Sequence, residues 1–190
     1  MTRLNSVNRV AVEKLLGTNS NAAGTLIGRR VLCQLIQNLS SLEPGPIFLD
    51  FSSVATASAS FLREAVLAFR SYVLDFTPGL YPVVANAPEA VLNDLEAVLE
   101  HRKDTLLACR LMNQKVADVR VLGPLDPGLA RALQMVRSQA GLTAGDLAKR
   151  SREKIRPGAW HNRLAMLCRR GLIVENGEKP AGYRFVLDPA

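Results

Sequence analysis

Two prolines and two glycines fall within the six residues Gly123-Pro124-Leu125-Asp126-Pro127-Gly128, and the character of the chain changes across them. Ahead of this break, helical and strand patterns alternate. Behind it the patterns are helical only, until a final pair of short β-prone runs. The break is read as a domain boundary, giving domains 1–124 and 125–190.

In the first domain, Leu26, Ile27, Val31, Leu35, Ile36 and Leu39 form one helical stripe. The turn signal EPGP then leads into a short buried-type strand, Ile47 to Phe51. Phe61, Leu62, Ala65, Val66, Phe69 and Val73 line one face of a second helix. LYPVVANA reads as another strand, in which Pro82 argues for a sheet edge or an irregular start. Pro88 opens a third helix with Val91, Leu92, Leu95, Val98 and Leu99 on one side, and TLLACRLM and ADVRVLG read as further strands. Such alternation predicts an α/β domain, a sheet backed by helices.

Charge separates the two domains more sharply than hydropathy does. Residues 1–125 hold 12 Lys/Arg against 11 Asp/Glu, whereas residues 126–190 hold 12 against 6, a net of +6 in a third of the length. A local basic excess points to a polyanionic partner for the second domain. No stretch approaches the roughly 18 apolar residues of a bilayer span, and the N-terminus lacks a signal-peptide pattern, so a cytoplasmic location is expected. Cys33, Cys109 and Cys168 have no partner at metal-ligand spacing, and no metal or cofactor is implied. Cys33 and Cys168 fall in apolar helical patterns and read as small buried hydrophobes.

Behind the break, Asp126 is placed to cap a helix whose first residue is Pro127. A second helix begins at Thr143, with Asp146 in a near capping-box position. After the basic connection REKIRP, a third helix runs roughly from Gly158 to Arg170. At 100° per residue, Trp160, Leu164, Leu167 and Gly171 project to one side, and Ala159, Asn162, Met166 and Arg169 to the other, flanked by Arg163 and Arg170. The first group anchors the helix and the second faces outward. A hairpin follows, LIVE and YRFV enclosing NGEKPAG, with Lys179 near its tip.

The segments LTAGDLAKRS, WHNRLAMLCRRGLI and the hairpin ending in YRFV resemble the winged helix-turn-helix of bacterial transcription regulators over about residues 126–187. That resemblance implies a recognition helix in the major groove of duplex DNA. Asn162 and Arg169 would read base edges, with Arg163, Arg170, Lys179 and Arg184 on phosphates. Arg156 and Lys154 are further phosphate candidates. Trp160 is expected in the core and His161 at the surface. The segment from Ser151 to Pro157 is longer than the family pattern.

In the first domain, Asp50 ends a strand, a small-residue loop follows, and Ser58, Ser60 and Glu64 lie at the start of the next helix. No histidine accompanies these serines, no G-x-S-x-G turn is present, and the loop lacks a phosphate-cradling glycine-lysine motif. Hydrolase and nucleotide-kinase chemistry are therefore disfavoured. Ile47, Leu49, Asp50, Phe51, Val54, Ser58, Ser60, Phe61 and Glu64, with Gly24 upstream, resemble the STAS-like domain related to anti-sigma-factor antagonists over roughly residues 6–110. The resemblance implies protein–protein switching or signal sensing. Aligning the loops puts Ala59, not a serine, at the antagonists' phosphorylated position, with Ser60 one residue away, and helix capping is the plainer role for Ser58 and Ser60.

Together these features predict a non-enzymatic DNA-binding transcriptional regulator, a homodimer with a STAS-like sensing domain. The alternative is a partner-switching adaptor whose winged helix docks on protein.

Overall fold

The computed structural model describes residues 2–3, 7–17, 21–151, 155–177 and 180–188. They divide into two compact units, Met1–Pro124 and Leu125–Asp188.

The first unit is a mixed α/β fold. Its strands are β1 (Thr2–Arg3), β2 (Asn8–Ala11), β3 (Gly45–Asp50), β4 (Leu80–Ala85), β5 (Leu106–Met112) and β6 (Lys115–Leu122), arranged in the order β1-β6-β5-β4-β3-β2. The pairs β2–β3, β3–β4 and β4–β5 are parallel, whereas β6 is antiparallel to both β5 and β1. Between β2 and β3 lie α1 (Val12–Leu16) and α2 (Thr25–Gln37). Between β3 and β4 a continuous helix spans 59–76, made of α3 (Ala59–Phe61), a π-helical stretch Leu62–Leu67 and α4 (Ala68–Phe76). Between β4 and β5 lies α5 (Glu89–Arg102). Each crossover steps to the next strand in the same direction, so right-handed connections put α2, helix 59–76 and α5 on one face of the sheet.

The main core forms there, with Ile47, Leu49, Phe51, Val84 and Leu106 against Phe61, Leu62, Phe69, Leu95 and Leu99. Phe48 and Val83, which alternate with these along β3 and β4, are also buried. Burial of both side-chain sets explains why the two strands read as unbroken apolar runs. The β5–β6 turn places Asn113 and Gln114 at positive φ, as a two-residue hairpin loop of the I′ type requires.

Three expectations need correction. Pro82 lies in an interior strand, not at an edge, so of the two expected settings the irregular start is the one found. It is tolerated because β5 pairing begins only at Val83, leaving Pro82 in the stretch of β4 that pairs with β3 alone. Cys33 is exposed. The buried positions of α2 are Gly28, Val31 and Leu35, and Cys33 is about 200° around the helix from Val31. Cys168 is half-buried rather than buried. Burial pushes the thiol of Cys109 up to about 12 and that of Cys168 up to about 11, with Glu175 adding to the latter.

The second unit contains α6 (Pro127–Ser138), α7 (Ala144–Arg150), α8 (Pro157–Arg169) and an antiparallel hairpin, β7 (Ile173–Glu175) with β8 (Tyr183–Phe185). α6 and α7 both pack on α8. The core includes Leu129, Leu133, Val136, Leu147, Trp160, Leu164, Leu167, Ile173 and Phe185. Among the described residues no helix is long and apolar enough to cross a membrane.

Candidate functional site

In the second unit, local hydrogen bonds fix where each helix begins. The Asp126 carboxylate accepts from the amides of Gly128 (2.8 Å) and Leu129 (3.3 Å), with Pro127 at the first helical position. Thr143 and Asp146 form a reciprocal capping box. The Asp146 amide donates to Thr143 Oγ1 at 3.1 Å, and the Thr143 amide donates to the Asp146 carboxylate at 3.0 Å. Hydrogen bonds from the Thr143 hydroxyl and amide hold the Asp146 carboxyl below its usual value.

These two helices support α8 through Trp160, Leu164 and Leu167, all fully buried. The opposite face, carrying Asn162, Met166 and Arg169, is exposed, and His161 is exposed beside it. The helix stops at Gly171, which is buried and has φ +64. There the Leu172 amide donates to Leu167 O and the Gly171 amide to Cys168 O, turning the chain directly into β7.

The hairpin is held at its loop end by two sets of bonds. Beyond β7, the Asn176 amide donates to Gly182 O, and the Gly182 amide donates back to Asn176 Oδ1, each at 2.9 Å. Tyr183 in turn forms an antiparallel bridge with Leu142, between α6 and α7: the Gly141 amide donates to Tyr183 O at 2.8 Å and the Tyr183 amide to Leu142 O at 3.1 Å. The Arg137 guanidinium lies over the Phe185 ring, 4.9 Å from its centroid. The element order is therefore helix, bridge, helix, helix, strand, strand. The bridge was not anticipated, because a single residue pair leaves no period in a sequence.

Of the six residues expected at a nucleic-acid surface, Asn162 and Arg169 are exposed on the outward face of α8. Arg170, at its C-cap, is half-buried. Arg184 is half-buried opposite Val174 on the hairpin and donates to Asp188 O at 3.2 Å. Arg163 is engaged within the unit. Its guanidinium stacks 4.8 Å from the Trp160 ring centroid and lies so close to Gly128 that a Cβ there would stand 2.7 Å from it. Lys179 and Lys154 lie outside the described residues.

In the first unit the four polar candidates separate into two groups. Asp50 is 2% exposed at the end of β3. Arg9 donates to its Oδ2 through Nε at 2.6 Å. Oδ1 accepts from Asn86 Nδ2 and from the Ser52 amide, each at 3.0 Å. Asn86 has φ +54, and its side chain also accepts from the Leu111 amide at 2.8 Å, joining β3 to β5 across β4. Burial opposes the charge of Asp50, but hydrogen bonds from Asn86, Arg9 and Ser52 more than offset it and hold the carboxyl below the usual range. An open cleft of about 630 Å³ adjoins it, lined in part by Arg9, Lys14, Asn38 and Ser52. Both carboxylate oxygens are occupied, so Asp50 serves to position neighbouring groups, and the cleft is presented with Arg9.

Ser58 caps helix 59–76. Its Oγ accepts from the Phe61 amide (3.2 Å) and the Gly24 amide (3.0 Å), tying two helix starts together, and bonds with Ser60 Oγ at 3.0 Å. Glu64, on the same helix, pairs with Arg29 at 3.1 Å and Arg63 at 3.2 Å, and these hydrogen bonds lower its carboxyl pKa. Arg9 and Asn86 escaped sequence reasoning because they lie 41 and 36 residues from Asp50 in the chain.

Replacing Asp50 with asparagine should therefore cost about 2 kcal/mol at pH 7, since Arg9 and the Ser52 amide lose a charged acceptor. The folded-state pKa is depressed, so this contribution is present above the ordinary value of 3.8 and is lost as pH falls through the folded value. Melting curves for wild type and Asp50→Asn should differ at pH 7 and converge at acid pH. A gap that is constant across that range would show that the charge contributes nothing.

Among the described residues no cluster of His, Cys, Asp and Glu could hold a metal ion. No protein-family model, no curated protein and no solved structure matches this chain.

Proposed function

We propose that the chain is a DNA-binding transcriptional regulator whose residues 125–188 act as a winged helix-turn-helix. The observation that carries this reading is the outward face of α8, with Asn162, Met166 and Arg169 exposed on a helix whose other side is fully anchored, followed at once by a hairpin clipped to the α6–α7 connection. A single helix presented in this way fits the major groove, and a β-ribbon beside it reaches the neighbouring backbone. The net charge of +6 over residues 126–190 supplies the electrostatic attraction to phosphate.

In this reading Asn162 and Arg169 face base edges, and Arg170, Arg184 and Lys179 contact phosphates. Arg163 instead stacks on Trp160 within α8 and reaches Gly128 at the start of α6. A homodimer would present two such helices to a two-fold site. The first unit acts as a STAS-like sensing module, with the half-buried Ser60 and with Glu64 and its partners Arg29 and Arg63 available to a protein partner or signal.

Gel-shift titration of the full chain against genomic fragments tests this directly. Affinity should fall with rising salt, and the double variant Arg169→Ala/Arg170→Ala should bind at least tenfold more weakly with a shallower salt slope. Binding unchanged by the substitutions would remove the assignment. Stable capture of a second protein after nuclease treatment, without retention on DNA, would favour a docking role for the same surface.

A further inference from the structure

The exposed face of α8 has a composition that bears on which duplex it selects. With Asn162 taken as the centre, Gly158, Met166 and Arg169 fall within about 40° of it at 100° per residue, and Ala159 and Ala165 lie at about 60° on either side. Three of the flanking positions carry hydrogen or methyl side chains. A helix bare at these points can settle deep in a groove, leaving Asn162, Met166 and Arg169 as the groups that reach furthest.

We infer that this face selects a short directional element, an A·T pair opposite Asn162 and a G·C pair opposite Arg169, with a thymine methyl available to Met166 between them. The inference rests on the DNA-binding reading above. The carboxamide of asparagine matches the N6 donor and N7 acceptor of adenine, and the guanidinium fork matches O6 and N7 of guanine. The thioether of Met166, 44% exposed, offers an apolar contact where a thymine methyl would stand.

Spacing sets the length of the element. Asn162 and Arg169 are separated by seven residues, about 10.5 Å along the axis. At roughly 3.4 Å per base pair that span covers about three steps. Trp160, Leu164 and Leu167 are buried on the far side, so the helix has no rotational freedom to present another face.

Selection of bound duplexes from a randomised pool tests the inference, using full-length wild type, Asn162→Ala and Arg169→Ala. Both substituted positions are exposed, and equal far-UV melting of the variants establishes that they are folded. Wild type should enrich an A·T and a G·C pair about three steps apart, each favoured by roughly 5- to 150-fold. Asn162→Ala should lose preference at the A·T position alone, and Arg169→Ala at the G·C position alone. Enrichment of sites whose base preferences neither variant alters would overturn the inference and leave DNA binding standing. A loss with Arg169→Ala that is uniform over all sequences would mark a phosphate contact and overturn the assignment of that residue. Failure of wild type to retain any duplex at low salt would remove the DNA-binding reading itself.

Discussion

Trp160→Ala should destabilise the second unit by about 3–5 kcal/mol, enough to unfold much of a domain of this size at physiological temperature. Trp160 has no exposed surface and is the largest side chain in a core it shares with Leu164 and Leu167. Its ring is also the platform for Arg163, whose guanidinium reaches back to Gly128 at the start of α6. Truncation would remove an apolar contact and a cation–π partner together. The indole nitrogen is buried and meets no acceptor among the described residues. Phenylalanine at this position would therefore lose volume but no hydrogen bond, and Trp160→Phe should cost less than half as much as Trp160→Ala. Hydrogen exchange at the α8 amides reads both effects. Equal losses for the two variants would mean that the indole makes a polar contact that the geometry does not show. In the proposed function, Trp160→Ala should also abolish DNA retention while leaving the exposed face chemically intact.

What was legible in the sequence and what was not divides by range along the chain. The caps Asp126-Pro127 and Thr143-Asp146 are built from residues at most three apart, and their chemistry depends on the local backbone alone. The two faces of α8 follow from a regular 3.6-residue period. In α2 the same reasoning over-reached: Cys33 shares an apolar neighbourhood with Val31 and Leu35, but angle rather than proximity in sequence decides which side chain is buried.

The Arg9–Asp50–Asn86 cluster depends on strand register, Ala11 opposite Asp50 and Asp50 opposite Ala85. No pattern in four residues of β2 announces that register. The position of Arg163 was hidden for a related reason. Its spacing from Asn162 places it at the border of the exposed face, and only the packing of α6 beside Trp160 turns it inward. In each case a long-range contact decided between options that local propensity leaves equal.

A second large effect is expected from Gly123→Ala, which should lower the stability of the first unit by about 3 kcal/mol, a drop in melting temperature of roughly 10 °C. Gly123 follows β6 with φ +79. A Cβ added there would stand 2.2 Å from the carbonyl oxygen of Asp104 and 2.8 Å from Leu99 Cβ. The first obstacle is backbone and cannot rotate away. It belongs to the turn that closes α5, where Lys103 is left-handed at φ +52 and the Asp104 side chain accepts from the buried Arg70 guanidinium at 2.7 Å. Relieving the clash would shift this turn and loosen a charged pair in which Arg70 is 5% exposed. Gly79→Ala separates the two components of the cost. Gly79 has φ +89 in the turn closed by the Leu80 amide on Thr77 O, but a Cβ there meets only Pro44 at 3.7 Å. It should therefore cost only the left-handed strain, about 1–2 kcal/mol. Far-UV melting of both variants decides the matter. If Gly123→Ala is no worse than Gly79→Ala, the close approach of the two backbones contributes nothing to the cost.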